Sequence, residues 1–221
     1  MGERESIAGF VVRTLAATAA AAIAFGAAFV FEAAAKTELA VKRAHAAADV
    51  TDAQQRSATF DSAAALIETS WARPGAWHAG ALEALSWLRT QQGEFERAEE
   101  AANRSLRIDP IQPAAWTRLA ALAETGTRVR DCDVQECLER SWRAAKMTEP
   151  TTACARLELA YRAGLLAPRD QRVFWTAKSG FFRSREARAC FAFLPRKERV
   201  RAILLAEADR NARARRSRAR R

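Results

Sequence analysis

The 221-residue sequence predicts an all-α protein whose first helix can cross a membrane. Three observations predict it. Glycine (9) and proline (6) are scarce, while roughly a quarter of the positions are alanine, a strong helix former without the β-branch that favours a pleated surface. That balance excludes an all-β fold and a glycine-rich nucleotide-binding fold. Residues 14–31 read TLAATAAAAIAFGAAFVF and carry no charge, and beyond residue 76 apolar side chains return at helical spacing between glycine and proline stops. With 49% hydrophobic and 8% aromatic residues there is material for a core, and the length suits one domain plus an accessory element.

At 1.5 Å per residue the charge-free run gives a helix of about 27 Å, slightly short of a hydrocarbon core of about 30 Å. Adding residues 10–12 closes the gap. Arg13 then lies about one turn inside the boundary, from which its long stem lifts the guanidinium to the headgroups. A cleaved signal peptide ending near Ala33, Ala34 and Ala35 and a buried soluble helix compete with the anchor, but an h-region is usually shorter than this run. Ala20, Ala24 and Ala28, with Ala22 and Gly26, recur at four-residue spacing, which admits a close partner helix, although this much alanine produces such spacing by chance. The flanking charges nearly tie: Arg4, Arg13 and the amino terminus against Lys36, Lys42 and Arg43. Four cysteines, Cys132, Cys137, Cys154 and Cys190, all lie in the second half, and with the signal-anchor layout they favour a cytoplasmic N-terminus. The expectation is a single-pass inner-membrane protein with a periplasmic body.

After the span, the first helix continues to about Ala48. Thr51 with Gln54 resembles a capping box, and Asp61 is expected to cap a further helix ending near Trp71. Gly93, Phe95, Ala98, Ala102, Leu106 and Pro110 then place a small residue, an aromatic and two alanines on one helical face before a proline stop. Pro113 opens a helix carrying Trp116, Leu119 and Ala120. These residues resemble the tetratricopeptide repeat, a 34-residue pair of antiparallel helices. The unit at 79–112 matches on its second helix and partly on its first, where Leu82 and Leu85 stand in for the pattern and Arg89 replaces an aromatic. The unit at 113–152 matches through Trp116, Leu119, Ala120, Ala145 and Pro150, and is about six residues longer than the repeat, the excess falling around 127–133. A third unit starts with Leu159 and Ala160. Such pairs need stacked neighbours, so the helices before Trp77 and after Pro168 are expected to act as caps. Pro168 and Ser184 are expected to start two short helices parted near Gly180. A last helix after Pro195 would turn Val200, Ile203 and Leu204 inward and dissolve into an arginine tail. The organisation is thus an N-terminus and transmembrane helix (1–31), a helical connector with capping helices (32–76), a tetratricopeptide-like α-solenoid (77–194) and a basic helix and tail (195–221).

The resemblance implies a concave groove lined by first helices, and by register it would show Glu83, Trp87, Gln91, Thr117, Arg118, Glu124, Glu158 and Tyr161 to a peptide or helix of a protein partner. The lysine and asparagine clamp of chaperone-binding members is absent, which argues against that role. In the segment DCDVQEC, Asp131, Cys132, Asp133, Glu136 and Cys137 fall within seven residues; His45 and His78 are distant in sequence, so no metal is expected there. The sharper reading is a cap by Asp133 and a small disulfide loop between Cys132 and Cys137, while Cys154 and Cys190 either pair or stay as core thiols. No Ser, His and Asp set and no phosphate-cradling loop is present, so neither an enzyme nor a cofactor is expected.

The net charge of +10 is concentrated in Arg210, Arg213, Arg215, Arg216, Arg218, Arg220 and Arg221, without which only about +3 remains. A tail of this kind suits an anionic envelope polymer or lipid or, as the alternative for a cytoplasm-facing body, an anionic-lipid surface or a nucleic acid such as RNA, the last less favoured because the tail has no aromatic to stack bases. An Ala- and Arg-rich composition is also what a GC-rich genome yields. Residues 137–146 and 156–166 are similar to repeat modules of bacterial proteins that assemble or export surface polysaccharide. That similarity implies a membrane-anchored scaffold for protein–protein interaction at the cell envelope. The membrane protein met through the anchor is a further candidate partner.

Overall fold

The computed structural model describes residues 2–48, 50–71, 78–130, 132–167, 170–178 and 184–219, with side chains described from residue 18 onward except at 21, 25, 184–186 and 217–219. Every regular element among them is an α-helix. The chain divides into two compact units, Met1–Ala84 and Leu85–Arg221.

The first unit is built on a helical hairpin. Helix α1 (Gly2–Ala48) runs without a break through the apolar segment, and α2 (Ala53–Ser70) folds back along its C-terminal half. The turn is fixed by Asp52, whose carboxylate accepts from the amides of Gln54 (2.9 Å) and Gln55 (3.2 Å), satisfying two of the donors a helix start leaves open. Asp52, not a Thr51–Gln54 box, is therefore the cap, and Asp61 lies inside α2 and starts nothing. The buried positions of α1 are Ala33, Ala40, Ala44 and Ala47, with half-buried Thr37 between them; those of α2 are Phe60, Ala63, Ala64 and Ile67. Both sets follow the alternating three- and four-residue spacing of a coiled-coil seam, and alanine brings the two axes close. At the far end Trp71 closes the hairpin, its indole Nε1 donating to Thr37 Oγ1 (2.9 Å) and its ring meeting Phe29 edge-on at 6.5 Å. Before that point the described side chains of α1, from residue 18, are all exposed, Ile23 by 73%, whereas charges from Glu32 onward, including the Glu32–Lys36 pair, lie on the stretch beside α2. One segment of α1 is long and apolar enough to cross a membrane.

The second unit takes in the later part of α3 (Ala79–Gln91, which begins in the first unit), α4 (Phe95–Ile108), α5 (Pro113–Glu124), α6 (Val134–Ala144), α7 (Pro150–Arg162) and α8 (Gln171–Lys178); from α4 on each packs against the next, and Ser86 of α3 donates to the Ala98 carbonyl of α4 at 2.7 Å. The punctuation repeats. Gly93 follows α3 and Gly164 follows α7, each with a φ near +70° that side chains resist, and each lets the next residue's amide reach back to close the helix: Glu94 N to Arg89 O at 2.9 Å, Leu165 N to Ala160 O at 2.8 Å. Gly126 holds the same place after α5. Pro113 and Pro150 open α5 and α7, where a missing N–H costs nothing. Ala98, Ala102, Leu106, Leu119, Ala120, Leu138, Leu159 and Ala160 form one core, with Phe95 and Trp116 against it. A second core joins Leu157 of α7 and Val173 and Ala177 of α8 to α9 (Ser184–Cys190) and α10 (Arg196–Ala219) through Phe191, Leu194, Ala202 and Ala206.

Two expectations for the C-terminus are corrected. The arginine-rich end does not fray at residue 210: α10 continues to Ala219, and Arg213 is tied to Asp209 (2.6 Å) and to the Lys178 carbonyl (2.9 Å). Val200 and Leu204 face solvent, 49% and 60% exposed, because the buried face of α10 is the one carrying Ala202 and Ala206; Ile203 is half-buried. The expected starts at Pro168 and the break at Gly180, like Trp77 and Asp131, lie outside the described residues.

Candidate functional site

The eight groove residues do not share one surface role. Thr117 is buried, its hydroxyl donating to the Pro113 carbonyl (2.8 Å) and lying 3.0 Å from Ser141 Oγ, so it joins α5 to α6 instead of facing a ligand. The register by which it was assigned to the groove fails there because α5 is packed on two sides. Glu124 and Arg162 pair at 3.2 Å across the ends of α5 and α7, which places the first helices of these two pairs side by side. Gln91, Glu158 and Tyr161 are exposed, and Tyr161 rests against Phe193 with ring centroids 5.2 Å apart. Trp87 and Arg118 are half-buried; Glu83 belongs to the first unit and is half-buried in it.

Both cysteine pairs are joined. Cys132 and Cys137 (Cα–Cα 5.4 Å) brace the long α5–α6 connection against the first turn of α6, where Asp133 accepts from the Glu136 amide at 2.8 Å. The same connection is held from the other side by Glu99, whose carboxylate accepts the Arg130 amide at 3.0 Å. Cys154 and Cys190 (Cα–Cα 5.3 Å) tie α7 to the end of α9. No group of three or more His, Cys, Asp or Glu side chains suited to a metal ion occurs among the described residues.

One functional-looking residue escaped the sequence reading. Arg156, on α7, is wholly buried, and its guanidinium donates through Nη1 to the carbonyls of Ser141 (3.1 Å) and Ala145 (2.7 Å) and through Nη2 to that of Lys146 (3.4 Å). The Ala145 and Lys146 carbonyls follow the end of α6 and that of Ser141, which also accepts the Ala145 amide at 3.2 Å, lies in its last turn, where a cation is favoured by the helix dipole. Burial lowers its pKa to about 10, with Glu149 opposing the shift, so it is charged at pH 7. Its role is to lock α6 to α7.

Clefts among the described residues open on the second unit. One of about 350 Å³ lies between α8 and α10, walled by Val173, Phe174, Trp175 and Leu205 with Glu198 and Arg201 at its edge. A wider one of about 530 Å³ follows the disulfide-braced loop past Arg128, Arg130 and Glu136. A smaller one, between α6 and α8, gathers two tryptophans and three cations. The groove residues line none of these three. Of the tail arginines, Arg210 and Arg213 are half-buried and Arg215 and Arg216 exposed; the side chains of Arg218, Arg220 and Arg221 lie outside the described residues.

Compared with protein-family models, curated proteins and solved structures, the chain matches none.

Proposed function

We propose that the protein is a single-pass inner-membrane protein whose tetratricopeptide-like body stands on the periplasmic side and serves as a non-enzymatic scaffold for protein partners at the bacterial cell envelope. The observation that carries this reading is the pairing of an uncovered apolar helix with a body whose four described cysteines are all in disulfides. Disulfides persist in oxidising compartments and are rare in the cytosol. The glycine closings of α3, α5 and α7 and the proline openings of α5 and α7 support the solenoid reading, with α8–α10 as a cap. The adjacency of α5 and α7 supports a groove on the face carrying Arg118, Glu124, Glu158 and Tyr161, which Trp87 and Gln91 of α3 would extend. Surface polysaccharide assembly or export is the pathway this scaffold would serve, a proposal that rests on the similarity of residues 137–146 and 156–166 alone. Site-specific photo-crosslinking in intact cells tests the groove: a crosslinker at Glu158 or Tyr161 should give a discrete adduct that one at Arg140, on the opposite helix of the pair, does not. Equal or absent adducts at all three positions contradict it.

The order of α10 favours one second reading, a cytoplasm-facing binder of anionic lipid. Its exposed Val200 and Leu204 sit among Arg196, Lys197 and Arg201 on a helix that stays intact into the arginine-rich end. Such a face suits a headgroup boundary. Removing residues 210–221 should then abolish salt-sensitive binding of the protein to anionic vesicles, whereas the scaffold keeps its partner.

A further inference from the structure

The α6–α8 cleft brings together cations, indoles and one carboxylate. Its lining is Glu139, Trp142, Arg143, Lys146, Arg172 and Trp175, around a volume of about 240 Å³. The cations are held on the indoles: Arg172 lies 4.9 Å from the Trp142 ring centroid with Arg156 at 5.4 Å, and Lys146 lies 5.4 Å from that of Trp175. Cation–π contact of this kind positions a charge without neutralising it. Arg143 shares Glu139 (3.3 Å), Arg172 has Asp170 only at 3.9 Å, and among the described residues no carboxylate pairs with Lys146. The cleft therefore keeps a positive excess.

Glu139 shapes what can fill it. Its carboxyl is held below the usual carboxylate range, first by the hydrogen bond from Gln135 Nε2 (3.1 Å) and, against an opposing desolvation, by the hydrogen bond and charge of Arg143 and the charge of Arg172. An ionised acceptor among these cations opposes every anion alike but takes hydroxyl hydrogens, so an anion that also brings several hydroxyls and a ring face is favoured over a bare one. The two indoles add apolar walls suited to the C–H face of a ring. The volume lies below the ~300–1,000 Å³ of sites for drug-sized ligands, so it takes one ring-sized group and not a folded segment.

We propose that the α6–α8 cleft is a binding site for an acidic sugar, a uronate residue of a glycan, whose carboxylate is met by Lys146 and Arg143 and whose hydroxyls are accepted by Glu139. Guanidinium and ammonium groups are the usual partners of carboxylates, the former with two parallel donors. The inference deepens the envelope reading and depends on it only for the source of the ligand. Binding by the purified protein tests the site and membrane topology tests the compartment, so the two fail separately.

The experiment is calorimetric titration of the full chain, held in nanodiscs of uncharged lipid, with trigalacturonate, maltotriose and inorganic phosphate as probes. Trigalacturonate should bind, with an affinity that falls as salt rises, while maltotriose and phosphate should neither bind nor displace it. The double variant Lys146→Ala with Arg143→Ala should weaken trigalacturonate about tenfold or more, and Arg107→Ala, a charge control on α4, should leave it unchanged. Both altered side chains are exposed, and an unchanged melting temperature shows that the variant is folded. Glu139→Gln is the decisive variant. It should weaken trigalacturonate, because hydroxyl recognition is lost, whereas a simple anion site would bind it more tightly. Absence of trigalacturonate binding, competition by phosphate at equal concentration, or tighter binding by Glu139→Gln overturns the proposal.

Discussion

Arg156 is where single residues matter most. A buried guanidinium is costly to desolvate, and here three carbonyls and the Trp142 ring offset that cost. Arg156→Ala strips the end of α6 of its donors and should destabilise the second unit by about 3 kcal/mol, read as a shift in the denaturant midpoint. Its titration has a defined sign. Because the folded-state pKa is lowered to about 10, the unfolded chain holds the proton more firmly above that pH. The group's contribution to stability is thus constant below about pH 10 and rises with pH above it, a slope that Arg156→Ala should remove. None of this was legible in the sequence. An arginine one position before Leu157 and three before Leu159 reads as the solvated edge of an amphipathic helix, since nothing local says that its partners are carbonyls of the previous helix. Thr117 was misread for the same reason: its partner, Ser141, is far away in sequence. Asp133, whose cap is made three residues on, was legible. Asp133→Ala should cost about 1 kcal/mol in the same denaturation measurement.

At the level of elements, the two disulfides are unequal. By loop-closure entropy the Cys154–Cys190 bridge, with a sequence separation of 36, stabilises by about 4 kcal/mol, and the Cys132–Cys137 bridge, with a separation of 5, by about 2 kcal/mol. Cys154→Ser should therefore lower the melting temperature more than Cys132→Ser. Equal shifts would mean that the α7–α9 tie adds nothing beyond packing. The helical hairpin makes a separate demand. Ala44 is fully buried in the seam between α1 and α2, and Ala44→Leu should separate the helices at a cost of about 1–3 kcal/mol, seen as faster proteolysis of α2. This seam explains why element existence was legible and some faces were not. Glycine and proline punctuation announces helix ends, and α3 to α7 follow it. In α1 and α10, however, the packed face is marked by alanine, which buries little area and carries little hydrophobic signal. A reading that looks for large apolar side chains chooses Val200 and Leu204, and so turns α10 to the wrong side.

For the whole molecule, the apolar half of α1 and the oxidised cysteines are independent observations that converge on one arrangement. The hairpin covers α1 only from about Phe29 onward, so the bare segment ends where Glu32 and Lys36 begin. A helix apolar on all sides and uncovered by protein is stable in hydrocarbon, where every backbone group is satisfied within the helix. Under the proposed arrangement the two bridged cysteine pairs are accounted for by a body that matures away from cytosolic reductants. The central claim of the account is accordingly the side of the membrane on which the body stands. Alkaline phosphatase fused after Arg221, active only outside the cytoplasm, measures this most directly. The account predicts an active fusion in intact cells; an inactive fusion, with full activity recovered by an added export signal, would contradict it and leave the basic helix α10 as the leading functional element.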